Sequence, residues 1–319
     1  MKITILGTGF VGATAAFALT MRGAGREIVL VDKNTDRAAA EANDILHGIP
    51  FAHPMNVRHG TDDDIAGSKV VILAAGVGQK PGESRLELLS RNAAVFEQIV
   101  PTVLERAPQA ILVVATNPVD IMTHVAAKIA ARHDVPSHRV IGSGTMLDTA
   151  RFRSLLAGRL GIDSRHVHAY VLGEHGDSEV LAWSTARVGG IALDDFTAER
   201  GIELGPDTRA TIDDAVRNAA YHIIEGKGAT YYGVSSALAY LTEIILYDRR
   251  ALVTVCTPEE RLAGIDDVTV SMPHLVGGDG IIGEHHPIRL SDDEQAALER
   301  SAAKIKGLSD DLDARTDGA

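Results

Sequence analysis

The sequence predicts an α/β protein: a Rossmann-type doubly wound parallel sheet followed by an α+β substrate or catalytic domain. Three observations predict it. Short, almost wholly apolar runs alternate with helical patterns as far as residue 142. That alternation calls for parallel strands buried on both faces and joined by right-handed crossovers. The first run opens into a glycine-rich turn, ITILGTGFVG. Beyond residue 142 the rhythm changes to longer helices and paired β-like runs, which sets the expected domains at 1–142 and 143–319.

Taken in order, KITILG leads to a helix from about Gly12 to Met21, and EIVLVD to a helical stretch from about Thr35. KVVILAAG precedes a helix over about Ser84 to Arg106, in which Pro101 removes an N–H and predicts a kink or a split. AILVVATNP precedes a helix from about Val119 to Arg132, and RVIGSG closes the first half. In the second half a helix near Leu147 to Arg159 leads into HVHAYVLGEHGD, which alternates like an antiparallel strand. One long helix is predicted from Pro206, with Ile212, Val216, Ala219 and Ile223 on one face and Gly226 and Gly228 at its end. A helix after Thr230, the strands ALVTVCT and VTVSMPHLVG, and a polar helix from about Asp292 complete the chain.

A length of 319 residues suits two domains that share an interface, and 45% apolar with 23% charged residues is ordinary for a soluble globular protein. The formal charge of −12 argues against nucleic acid or an anionic membrane as the main partner. The single cysteine, Cys256, excludes an intramolecular disulfide and a cysteine metal cluster, and its apolar neighbours predict a buried thiol. The opening MKITILGTG lacks the basic head and long apolar body of a signal peptide. No apolar run approaches the roughly 18 residues of a membrane span. A cytoplasmic location is expected. Of the 13 histidines, the HVH and HH pairs have no further ligands at suitable spacing, so no metal is expected.

Gly7, Gly9 and Gly12 stand where a strand becomes a helix, and Asp32 ends the second strand 20 residues beyond Gly12. This is the arrangement in which a tight turn brings pyrophosphate to a helix N-terminus and an acid bonds a ribose hydroxyl. An acid at position 32 favours NAD over NADP, whose 2′-phosphate would meet a like charge; Lys33 beside it carries the opposite sign. The competing account is a nucleotide-free domain with glycines for packing alone. Elsewhere, His175 stands between glycines in LGEHGDSE, and Asp148 and Arg151 share one helix face. Spacing alone does not join them: an acid and an arginine three apart read equally as a surface ion pair, and Thr230 reads equally as a helix N-cap.

The glycine turn with Asp32, then GQKPGESRLEL, ATNPVDI, LDTARFR, GEHGDSE and KGATYYG, resembles the L-lactate and malate dehydrogenase family over essentially the whole chain, and most of all its bacterial L-lactate dehydrogenases. The resemblance implies reversible reduction of pyruvate to L-lactate by NADH. His175 would exchange the proton and Asp148 would hold its ring. Arg151 would grip the substrate carboxylate, and Asn117 and Thr230 would line the substrate site. It implies a cofactor-binding set of Gly7, Gly9, Phe10, Val11, Gly12, Asp32, Lys33, Ala75, Gly76 and Asn117. The loop after the third predicted strand would close over substrate, with Arg85 polarising the carbonyl and Gln79 selecting the acid. Malate dehydrogenases typically carry arginine at the position of Gln79, so a neutral amide favours pyruvate over oxaloacetate. A homotetramer activated by fructose 1,6-bisphosphate through Arg153 and His168 is implied as well. The alternatives are malate dehydrogenase, an L-2-hydroxyisocaproate dehydrogenase, and a catalytically silent NAD-binding protein on the same fold.

Overall fold

In the computed structural model, which describes residues 1–78 and 82–316 apart from the side chains of Arg85 and Thr316, the first half supplies six parallel strands. They are β1 (Lys2–Leu6), β2 (Glu27–Val31), β3 (Asn56–His59), β4 (Ser68–Leu73), β5 (Ile111–Val114) and β6 (Val140–Gly142). Their spatial order is β6-β5-β4-β1-β2-β3. The connecting helices are α1 (Phe10–Arg22), α2 (Thr35–Gly48), α3 (Arg85–Arg106) and α4 (Val119–Ala131). The winding reverses between β1 and β4, so the loops leaving their carboxyl ends diverge and open a crevice between them.

The second half begins with α5 (Met146–Leu160) and five two-residue strands, β7 (Val167–His168), β8 (Val171–Leu172), β9 (Val180–Leu181), β10 (Arg187–Val188) and β11 (Ile191–Ala192). There follow α6 (Leu193–Arg200), α7 (Pro206–Arg217), α8 (Ala219–Lys227), α9 (Tyr232–Leu246), the long hairpin β12 (Ala251–Leu262) and β13 (Ile265–Gly277), β14 (Gly280–Ile281), and α10 (Asp292–Thr316). The hairpin does not stay apart. Cys256 of β12 pairs antiparallel with Gly142 of β6, so β12, β13 and β14 extend the first half's sheet to nine strands among the described residues.

Both faces of that sheet are covered by helices from both halves. One core joins α3 and α4 to α10 through Leu89, Phe96, Ile129, Leu298 and Ile305. The other joins α1 to α9 through Ala15, Leu19, Leu238 and Leu241. A third core under α5 and α7 holds Phe152, Leu156, Ile212 and Val216. Among the described residues no helix is long and apolar enough to cross a membrane.

Three local expectations are corrected. Pro101 does not split α3, because Phe96, Val100, Val103 and Leu104 around it are buried in the core, and that burial outweighs one lost hydrogen bond. The helix predicted from Pro206 breaks at Asn218. Ile212 and Val216 reach the core, whereas Ile223 and Ile224 of α8 stay exposed. The alternating HVHAYVLGEHGD run is two short strands, β7 and β8, interrupted at Ala169 and Tyr170.

Candidate active site

The glycine turn after β1 meets three different demands. Gly7, at φ 95°, crosses so near the loop after β4 that a Cβ would stand 2.5 Å from the Ala75 nitrogen. A Cβ on Gly12 would lie 1.9 Å from the Gly7 carbonyl oxygen. A Cβ on Gly9 would meet nothing within 4 Å, so the protein's own packing does not require this glycine. Its missing side chain leaves space above the first turn of α1, whose N-terminus has no side-chain cap. That is a cradle for an anion among helix N–H groups.

Asp32 closes the cradle. One carboxylate oxygen accepts the Thr8 N–H (2.7 Å) and hydroxyl (3.1 Å), and the other accepts the Asn34 N–H (2.9 Å). Partial burial works against the charge, but these donors outweigh it and hold the carboxyl below its ordinary range. Lys33 is exposed beside it, and Val11 lines the cavity next to the turn. Phe10, 63% exposed, stacks on Tyr231 at 5.2 Å. Across the crevice the Thr116 hydroxyl donates to the Ala75 carbonyl, and Gly76 lies against the Thr116 and Asn92 side chains. The residues present fit a dinucleotide.

Further along the crevice α5, α4 and the loop after β8 converge. Asp148, in the first turn of α5, is buried and accepts from two cations: its Oδ2 lies 2.6 Å from His175 Nδ1, and its Oδ1 takes Arg151 Nη1 at 2.8 Å. The surface-pair account of Asp148 and Arg151 is thereby overturned; their helix face points inward. Asp120 of α4 accepts the His175 backbone N–H at 2.8 Å. Burial by itself would lower the histidine's pKa, but the charges of Asp148, Asp120 and Glu179 raise it to about 9. Burial raises Glu179 to about 8 and Asp120 to about 6. Asp148, the first of these charges and the one bonded to the ring, does most to hold the imidazolium. Asp148 itself stays below its ordinary range, because His175 and Arg151 outweigh its desolvation.

His175 and Arg151 face a cavity of about 320 Å³ that also takes in Asn117, Thr230 and the apolar side chains Val11, Leu147, Ile224 and Val234. Ile224 is the residue whose helix breaks from the predicted stripe; it forms cavity wall instead of core. Thr230 is not the N-cap of α9, a position held by Tyr231. Arg85 begins α3, where Ser84 and Glu87 form a reciprocal cap, and Gln79 lies outside the described residues. Arg153 is half-buried against the Ala169 carbonyl (2.9 Å) and the Tyr170 ring (5.5 Å), and His168 is exposed on β7.

Sequence reasoning missed Asp120 and Glu179. Asp120 left a signal: it is the one acid in the otherwise mostly apolar helix VDIMTHVAAKIAA.

Comparison with known proteins joins these observations. The lactate/malate dehydrogenase NAD binding domain matches residues 1–142, and the alpha/beta C-terminal domain of the same enzymes matches residues 145–314. The chain belongs to the lactate/malate dehydrogenase family. It is an NAD-dependent oxidoreductase of 2-hydroxy acids. It is 58% identical to an L-lactate dehydrogenase of Geotalea daltonii, over 96% of this chain and 97% of that one. It is 52% identical to an L-lactate dehydrogenase of Thermus aquaticus, over 98% and 99%. The ligand-bound crystal structure of the minor L-lactate dehydrogenase from Enterococcus mundtii superimposes with a TM-score of 0.92 at 38% identity, covering 97% of each chain. Gly9 and Asp32 both fall within residues 1–142, the part that matches the NAD binding domain.

Proposed function

We propose that this enzyme is an L-lactate dehydrogenase in which His175 gives a proton to the ketone oxygen of pyruvate. The observation that carries the proposal is the cavity-facing His175–Asp148 pair at 2.6 Å, with Arg151 on the same carboxylate. NADH held in the first half's crevice would supply the hydride that the ketone carbon accepts. The chain's residues do the rest. Arg151 pairs with the substrate carboxylate and sets the distance to His175; Asn117 and Thr230 line the substrate cavity. As negative charge grows on the oxygen, the His175 proton moves to it, and Asp148 keeps the ring oriented. In the reverse direction the neutral ring removes the lactate hydroxyl proton.

Arg85 is assigned the polarisation of the carbonyl, and the loop before it the exclusion of water. The cofactor would be held by Gly7, Gly9, Phe10, Val11, Gly12, Asp32, Lys33, Ala75, Gly76 and Asn117, with 1–142 as the NAD unit and 143–319 as the substrate unit. Gln79 is assigned the choice of acid. Gln79→Arg is expected to move relative kcat/KM from pyruvate to oxaloacetate, and an unchanged ratio rejects the assignment. We further infer a cytoplasmic homotetramer with a bisphosphate site at Arg153 and His168, supported by the packing of Arg153 beside the strand that carries His168. Its test is the pyruvate saturation curve with and without fructose 1,6-bisphosphate; no shift at any pH removes this part. The decisive assay for the whole proposal is NADH oxidation with pyruvate, and its loss in His175→Asn.

A further inference from the structure

His175 lies in a short loop with glycines at 173 and 176, so the backbone on either side of Glu174 and His175 is intrinsically permissive. Something else must hold the ring still. Three anchors belong to the crevice walls: Ser271 of β13 exchanges two backbone hydrogen bonds with Gly173 (2.9 Å each), Asp120 takes the His175 N–H, and Asp148 takes the ring. The fourth comes from the opposite side. Glu174 turns away from the cavity and is buried, with its carboxylate 2.7 Å from Lys304 Nζ of α10. The same carboxylate accepts the Ser178 N–H at 3.1 Å and the Ser178 hydroxyl. The Ser301 hydroxyl, one turn before Lys304, accepts the Glu174 N–H at 2.9 Å and lies 3.2 Å from the Ser178 hydroxyl.

Both arms of the histidine loop are therefore tied to the last helix of the chain through one buried carboxylate. Burial pushes Glu174 up, but Lys304 and Ser178 outweigh it and keep its pKa below the ordinary glutamate range. Removing the Lys304 ammonium would take away a cation that stands 2.7 Å from that buried charge. The weakened carboxylate would then hold Ser178 and the loop less firmly on the side away from Asp148.

We infer that Lys304 and Ser301 are positioning residues for proton transfer, acting on His175 through Glu174. This rests on the proposal that His175 is the proton donor. The sensitivity of a reaction to small displacements of its reacting groups gives the expected size, a loss of about tenfold in kcat.

The test compares wild type with Lys304→Met, Lys304→Arg, Ser301→Ala and His175→Asn in pyruvate reduction, using NADH with and without deuterium at the transferred position. Lys304→Met is expected to lower kcat about tenfold and to leave NADH affinity within about twofold. It is also expected to raise the isotope effect on kcat as the chemical step becomes slower. Lys304→Arg, which retains the charge, is expected to restore most of the rate. Wild-type kcat and isotope effect in Lys304→Met, with His175→Asn inactive, would overturn the inference and leave the proton donor standing. An active His175→Asn would remove the proton donor and this inference with it. Should Lys304→Met fail to fold by circular dichroism, Ser301→Ala decides. A kcat loss at unchanged NADH affinity supports the inference, and an unchanged kcat rejects it.

Discussion

Among the described residues, Asp148 and Glu259 are two largely shielded carboxylates that each stand beside an imidazole. In one, Asp148 Oδ2 stands 2.6 Å from His175, and the histidine side chain is 26% exposed towards the cavity. In the other, Glu259 Oε1 of β12 stands 3.0 Å from His274 of β13, which is 2% exposed, while His285 approaches the second oxygen at 3.1 Å. Burial raises Glu259, and the two histidines more than reverse it, as His175 and Arg151 do for Asp148. The pairs are alike in composition, and the two rings differ in access: His274 is buried and His175 faces the cavity. His274 and Glu259 are out of hydrogen-bonding alignment and closed in by the hairpin. At the first site the ring faces a cavity that Arg151 also reaches. An acid–histidine pair becomes chemistry only where a substrate atom can touch the ring and a cation can orient it.

Breaking each pair in turn is the most direct test of that difference. His175→Asn is expected to lower kcat for pyruvate reduction by about a thousandfold or more, whereas His274→Asn is expected to keep kcat within about twofold. Equal losses in steady-state NADH oxidation would erase the distinction. Arg151→Lys keeps the charge but loses the planar fork, and a fall of about a hundredfold in kcat/KM for pyruvate, with NADH affinity unchanged, is the expected result.

The pH dependence separates the sites further. Reduction of pyruvate needs protonated His175, so kcat/KM for the ketoacid is expected to fall as pH rises through about 9. Asp148→Asn removes the charge that sustains the imidazolium. Burial then prevails, and the alkaline limb moves down towards or past the ordinary value of 6.5, read from the same rate profile. The pair's contribution to stability follows the same shifts. It is complete between the ordinary values of 3.8 for the acid and 6.5 for the histidine, and is lost as pH climbs through about 9. Falling pH removes it too, below 3.8, as Asp148 takes up its proton. The smallest effect is structural. His274→Asn is expected to cost about 1–3 kcal/mol in denaturant unfolding, with the reaction unaffected.

Five of the six parallel strands, the glycine turn and Asp32 were legible because each is a local statement; β3, the mostly polar edge strand NVRH, has no apolar run to announce it. Apolar runs, a helix period and a residue without a Cβ need no knowledge of distant neighbours. Resemblance alone brought Asp148, Arg151 and His175 together, since residues 148 and 175 meet only after α5 and the loop beyond β8 have packed. Glu179 and the Glu174–Lys304 tie were not legible, because burial gives them their character and burial depends on the whole fold; Asp120 left only the signal of a lone acid in a mostly apolar helix. The broken α7–α8 helix makes the same point, its apolar period running on after the core has ended.

By itself, then, the sequence determined the doubly wound sheet, the cofactor cradle and the residue types available for proton transfer and carboxylate binding. Tertiary structure decided that the β12–β13 hairpin would extend the first half's sheet. It also decided that the His175–Asp148 pair, and not His274–Glu259, would open onto a cavity, and that the last helix would hold the histidine loop from behind. The physical reason is range. Backbone propensity and periodicity act over a few residues, while desolvation, charge pairing and access to a ligand are set by atoms brought together from across the chain.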